Sequence, residues 1–258
     1  MIHAVWNLLL AGARDSEATA AVALPFSALV CAPLAAADWH VDARAWPFVA
    51  ASSVLELAYF ALLAAAYRRA ELSVVYPLAR GLAPVLVLIG VVAFTAASTS
   101  AHQVLGVLLV TGGVFLVRGL RRGHGVAWGL AIACCIAAYT VVDKHGVAHA
   151  SPLPYLELIT ALTGTAYCCG LVAARGPAVV RAAIGWRSVV AGLATFAAYG
   201  LVLAALQLAS AASVAAVRET SVLVAAALAA VVLKERVTRW RFLGAALVAG
   251  GVALLSLS

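Results

Sequence analysis

The chain has 258 residues, of which 66% are hydrophobic and 10% charged, and its formal net charge is +7. Soluble domains run at about half apolar and about a quarter charged, so this composition excludes an ordinary water-soluble domain and places the chain in lipid. The basic residues lie in short gaps between apolar runs rather than along one exposed face, which argues against nucleic acid as a partner and for membrane topology.

A membrane span needs about 20 predominantly apolar residues. Apolar runs broken by charge, Pro and Gly predict ten helices, at 2–13, 20–37, 46–67, 72–95, 102–118, 125–143, 152–173, 187–208, 212–232 and 239–257. At 1.5 Å per residue the first would be only about 18 Å long, so it is expected either to be shortened or to continue a segment lying upstream. No basic stretch precedes an apolar core and a cleavage site, so a removable signal peptide is not expected. The five cysteines, Cys31, Cys134, Cys135, Cys168 and Cys169, fall in apolar segments without the spacing of a zinc site or redox pair and read as small packing residues. Neither a metal nor a cofactor is expected.

The connections after the first, third, fifth, seventh and ninth predicted helices hold, with the helix ends beside them, 13 Lys or Arg; the opposite side holds Arg44 and Lys144. Cytoplasmic loops keep the positive charge, so the odd-numbered connections are expected inside and both termini outside.

The two halves of the chain resemble each other. Gly106, Gly113, Val114 and Leu116 recur 138 residues later as Gly244, Gly251, Val252 and Leu254, Arg80 recurs at the same offset as Arg218, and Tyr59 has a mate in Tyr199. Five helices is an odd number, so the second copy would enter the membrane inverted relative to the first. The sequence Lys234-Glu235-Arg236-Val237-Thr238-Arg239 precedes the tenth helix where Ala96-Ala97-Ser98-Thr99-Ser100-Ala101 precedes the fifth, one suited to the cytoplasm and the other to the outside. The expected architecture is all-α: a polytopic membrane protein of ten transmembrane helices, built as two inverted five-helix repeats at 1–120 and 121–258, with the first helix shortened.

Several stretches are similar to the EamA-type transporters of the drug/metabolite transporter superfamily. They are His3-Ala4-Val5-Trp6-Asn7; Ala138-Tyr139-Thr140-Val141-Val142-Asp143; Ala70-Glu71-Leu72-Ser73-Val74-Val75-Tyr76-Pro77-Leu78-Ala79-Arg80-Gly81; and Ala216-Val217-Arg218-Glu219-Thr220-Ser221 with Leu233-Lys234-Glu235-Arg236 after it. The resemblance implies ten helices in two five-helix repeats and a transporter. Two departures stand out: Ala97 replaces a usual acidic residue, and the first helix lacks its first half.

A charge at the centre of a membrane helix costs at least about 2.5–3.5 kcal/mol on insertion scales, so Glu56, Arg80, Arg218 and Glu219 each require a partner or a water-filled cavity. Arg80 and Arg218, at equivalent places, would offer forked donors to an anionic substrate group, or else pair with membrane acids and hold the bundle together. Adjacent on a helix, Arg218 and Glu219 point about 100° apart and are poor partners for each other. Glu219 or Glu56 could take up and release protons, or form a permanent ion pair. Trp6 and Asn7 beside His3, Tyr139 and Asp143 in the sixth helix, and the pair Tyr59 and Tyr199, with Tyr67 and Tyr76 near the former, are candidates to line a cavity or simply to pack. Asp143 could equally anchor its helix end beside Lys144. The substrate-binding set is therefore Trp6, Asn7, Glu56, Tyr59, Arg80, Tyr139, Tyr199, Arg218 and Glu219.

The function expected is secondary transport of a small metabolite, such as an amino acid or organic anion, by alternating access around a central cavity, with protons as the candidate coupling ion. A membrane scaffold without cargo is one alternative. An intramembrane enzyme is another, although the sequence contains no HExxH and no Ser, acid and His on one helix. No GxxxxGK[ST] phosphate loop is present either. The expected setting is the plasma membrane, as a monomer, with a dimer as the alternative.

Overall fold

The structure is a computed structural model that describes residues 15–70, 72–95, 99–118, 125–221 and 239–255. Among these residues the only β-structure is an isolated antiparallel bridge between Val41 and Ala150; the rest is helix and connection. The helices are α1 (Ser16–Ala37), a 3-10 turn (Ala43–Ala45), α2 (Trp46–Arg69), α3 (Leu72–Thr95), α4 (Ala101–Arg118), α5 (Val126–Gly146), α6 (Pro152–Arg175), α7 (Pro177–Ala182), α8 (Trp186–Leu208), α9 (Ala211–Arg218) and α10 (Arg239–Leu255). Among the described residues, five segments are long and apolar enough to cross a membrane: Ser16–Ala37, Ala43–Ala66, Val126–Gly146, Pro152–Arg175 and Trp186–Leu208. Their outward side chains include Leu29, Val54, Leu162 and Leu201, all at least half exposed, a surface suited to lipid tails and not to water. The chain is a multi-pass integral membrane protein.

By its contacts the chain forms two compact units, each drawn from both halves of the sequence. Unit 1 takes its described residues from Met1–Ala61 and Val142–Leu208; unit 2 takes them from Leu62–Val141 and Ala209–Ser258.

In unit 1, α1 packs against α6 and α8. Small residues bring the helices close: a β-carbon added to Gly164 would lie 2.8 Å from Leu24 Cβ, and one added to Gly192 would collide with the Ala23 carbonyl. Asp15 caps α1 by accepting from the Ala18 N–H at 3.0 Å. Its carboxylate also meets Arg175 at 2.6 Å, and Glu17 meets the same guanidinium at 3.3 Å, so the start of α1 is tied to the end of α6. Burial opposes ionisation of Asp15, but the Ala18 N–H and Arg175 outweigh it and hold the carboxyl below its ordinary 3.8. Gly176, at φ +81°, ends α6 in a conformation that favours glycine, and Pro177 starts the short α7 directly after it.

At the other end of unit 1 the residues around the Val41–Ala150 bridge are laced together. Asp42 N–H donates to the His149 carbonyl at 2.9 Å, Ser151 N–H to that of His40 at 2.8 Å, and Gln207 Nε2 to that of Val147 at 3.0 Å. Lys144 Nζ donates to the Leu206 carbonyl at 2.5 Å and so serves the last turn of α8, where carbonyls lack partners.

In unit 2, α4 and α10 run antiparallel with reciprocal glycine contacts. A β-carbon on Gly106 would meet the Gly251 carbonyl at 2.9 Å and one on Gly251 the Gly106 carbonyl at 2.7 Å; Gly113 and Gly244 stand in the same relation at 2.6 and 2.7 Å. Backbone thus lies on backbone at both levels, which only glycine permits.

Candidate functional site

Each unit buries a polar cluster among apolar helices. In unit 1 it centres on Asp143, near the end of α5 and fully buried. The Tyr155 hydroxyl donates to its Oδ1 at 3.1 Å, and the Tyr199 hydroxyl donates to its Oδ2. Both carboxylate oxygens therefore receive a neutral hydroxyl donor, which offsets part of the cost of burying the charge. Gly146, one turn after Asp143, leaves the space that the Tyr155 ring occupies, since an added β-carbon there would collide with it. Glu56, half-buried on α2, lies near enough to act electrostatically on Tyr155. Tyr59 stands one turn further along, its ring 5.2 Å from that of Phe60, which in turn packs on Tyr167.

In unit 2 the cluster is an ion pair. Arg80 on α3 and Glu219 at the end of α9 approach at 3.6 Å with side chains 8% and 1% exposed. That distance is a charge contact and not a hydrogen bond. Neither carboxylate oxygen of Glu219 accepts a hydrogen bond. At the start of α9, Ser210 Oγ and Ser213 Oγ accept from Gln103 Nε2 of α4, the latter at 3.1 Å, while Ser210 Oγ also caps α9 by accepting from Ser213 N–H at 3.1 Å. Arg218 is half-buried and Tyr139 on α5 is buried in the same unit.

The nine sequence candidates thus divide. Tyr199 and Glu56 fall at the Asp143 cluster, with Tyr59 one turn away; Arg80 and Glu219 meet each other; Tyr139 and Arg218 lie in the second unit; Trp6 and Asn7 lie outside the described residues. The side chains of Tyr67 and Tyr76 lie outside them too. Reading the sequence ranked Asp143 low and passed over Tyr155. Tyr155 carried a usable signal, a tyrosine one turn after a proline-started helix, but nothing local links it to an acid twelve residues back. Glu157 was passed over as well, although an acid six positions into an apolar run is itself a signal.

Two hollows open on unit 1, one of about 500 Å³ beside Asp15, Arg175 and Arg187 and one of about 460 Å³ beside His40, Asp42 and His149. None of the nine candidates lines either one. Among the described residues no three His, Cys, Asp or Glu side chains gather as metal ligands.

Apolar helices long enough to cross a bilayer, with buried charge in each unit, define a polytopic membrane protein. The model of the EamA-like transporter family matches residues 123–257, just over half of the chain, and the protein belongs to that family. A crystal structure of a protein 16% identical in sequence has the same fold, with a TM-score of 0.75 over 99% of this chain and 97% of the other. No curated protein matches the chain.

Proposed function

We propose that the protein is a secondary transporter of small zwitterionic or anionic metabolites, working by alternating access in the plasma membrane. The observation that carries this reading is the buried pair of Arg80 and Glu219. Ionised groups inside lipid are costly and need strong hydrogen bonds to offset desolvation, yet this carboxylate accepts none. An amino acid fits such a pair: its carboxylate takes the guanidinium fork of Arg80, and its ammonium supplies the donors that Glu219 lacks. The substrate then completes the pair, which gives it a reason to bind and the protein a reason to rearrange.

The architecture proposed for this activity is two inverted five-helix repeats, residues 1–120 and 121–258. Gly106 and Gly113 of α4 are the repeat mates of Gly244 and Gly251 of α10, and they pair crosswise, first with last, as a twofold axis lying between the two helices requires. Repeat mates α1 and α6 likewise pack on each other antiparallel. Arg218, the mate of Arg80, is proposed to take part in substrate binding, and Asp143 with its two tyrosines to hold unit 1 rigid. The basic loops support an orientation with both termini outside, and the chain is proposed to work as a monomer with protons as coupling ion.

The test is flux of radiolabelled amino acids and carboxylic acids in proteoliposomes, with and without an imposed proton gradient, for wild type, Arg80→Ala, Arg218→Ala and Glu219→Gln. Wild-type flux that falls at least about tenfold in Arg80→Ala and Glu219→Gln is expected, equivalent to about 1.4 kcal/mol of lost stabilisation or more. Folded wild-type protein that moves nothing from the panel would turn the assignment toward a membrane scaffold.

A further inference from the structure

Glu157 is the sixth residue of α6, half-buried and inside a membrane-spanning segment. Its Oε2 is sealed from the surface and accepts no hydrogen bond. The other buried acids differ: Glu219 faces Arg80, and Asp143 is bonded by Tyr155 and Tyr199. Glu157 has neither an ion pair nor a hydrogen bond among the described residues.

The groups on the elements around it are accounted for in the same way. From α1, Cys31 lies near enough to act on it electrostatically, while Glu17 and the preceding Asp15 are bound to Arg175 at the far end of α6, 18 residues or about 27 Å along the helix. Arg187 of α8 lines the same hollow as Arg175, and Arg181 lies on α7, just past the Arg175 end of α6. The only other titratable group of α8, Tyr199, is engaged by Asp143. Glu56 of α2 and Asp143 of α5 act on Tyr155, which two residues away on the same helix is turned about 200° from Glu157. Tyr59, one turn past Glu56, has Phe60 beside its ring, and Lys144 is bonded to the Leu206 carbonyl. Among the described residues, then, no cation holds the charge of Glu157, and a membrane carboxyl without one is stable in lipid only with its proton on.

We propose that Glu157 is the proton carrier of the transport cycle, a role that rests on the secondary-transport reading above. The carboxyl takes one proton from water on one side of the membrane, crosses the cycle neutral, and gives that proton up when rearrangement brings water to it from the other side. The arginine-paired Glu219 is left free to serve the substrate.

The experiment reconstitutes wild type, Glu157→Gln, Glu157→Asp and Glu219→Gln in phosphatidylethanolamine and phosphatidylglycerol vesicles. Infrared difference spectra across a pH titration report protonated carboxyls, and flux of the radiolabelled panel is followed with and without a proton gradient. The protonated-carboxyl band is expected in wild type and Glu219→Gln, shifted in Glu157→Asp and gone in Glu157→Gln, whose flux no longer responds to the gradient. A band or a gradient response that survives in Glu157→Gln overturns the assignment to Glu157 and leaves the carrier reading standing. Absence of flux from folded wild type overturns the carrier reading instead.

Discussion

Unit 1 and unit 2 solve the same problem, a buried acid among apolar helices, by different chemistry. Asp143 is met by two neutral hydroxyls, one on each oxygen, from helices α6 and α8. Glu219 is met by a guanidinium at 3.6 Å and by no hydrogen bond. The first arrangement is saturated and ties three helices together. The second is electrostatically paired but short of donors, so a ligand that brings donors can improve it. On the proposed reading, rigidity belongs with unit 1 and exchangeable chemistry with unit 2.

The largest effect expected from breaking this contrast comes from Arg80→Ala, which leaves Glu219 buried without its cation and should destabilise the protein by about 3–5 kcal/mol in thermal unfolding in detergent. Replacing both partners, Arg80→Met with Glu219→Leu, should restore most of that stability while flux stays lost. A double variant as unstable as the single one would show that the pair holds the fold and does not serve the substrate. In unit 1, Tyr199→Phe and Tyr155→Phe should each cost about 1–3 kcal/mol, because each strips a donor from a buried carboxylate. If either change is silent, Asp143 is not the saturated anchor described here.

The packing of unit 2 offers a sharper comparison within one helix. Gly113→Ala should destabilise by about 1–3 kcal/mol, since the new methyl meets the Gly244 carbonyl and backbone cannot step aside easily. Its neighbour Gly112 has open space, and Gly112→Ala should be neutral or slightly stabilising. The smallest effect lies at the partly exposed clasp of Asp15, Glu17 and Arg175. Asp15 has its carboxyl lowered in the folded protein, so its contribution is present above its ordinary 3.8 and is lost as pH falls through the folded value. With side chains 30% and 41% exposed, Asp15 and Arg175 are screened by solvent, so Arg175→Ala should show only a small loss of stability at neutral pH that disappears in strong acid.

Much of the helical layout was legible in advance because a span is a local property: about 20 apolar residues bounded by charge, Pro or Gly must be a helix in lipid. The predicted 72–95 is α3 as it stands, and 46–67, 152–173 and 187–208 differ from α2, α6 and α8 by one or two residues at an end. The short α7 was missed because six residues carry too little periodicity, although Gly176-Pro177 marks its start. The candidate site was legible by residue type but not by partner. A charge in an apolar run declares that it needs company, and Arg80 and Glu219 were found that way. Nothing in the run around Arg80 says that its partner lies 139 residues on, or that Asp143 receives the hydroxyls of two tyrosines.

By itself, then, the sequence determined that this chain lies in a membrane, where most of its described helices run and which glycines repeat, since each follows from composition or spacing within one segment; the predicted 2–13 and most of 212–232 lie outside the described residues. Which buried acid has a cation, which has hydroxyls and which has neither was decided only when the helices packed. Those partners sit on different helices, far apart in the chain, and only tertiary structure brings them within reach of one another.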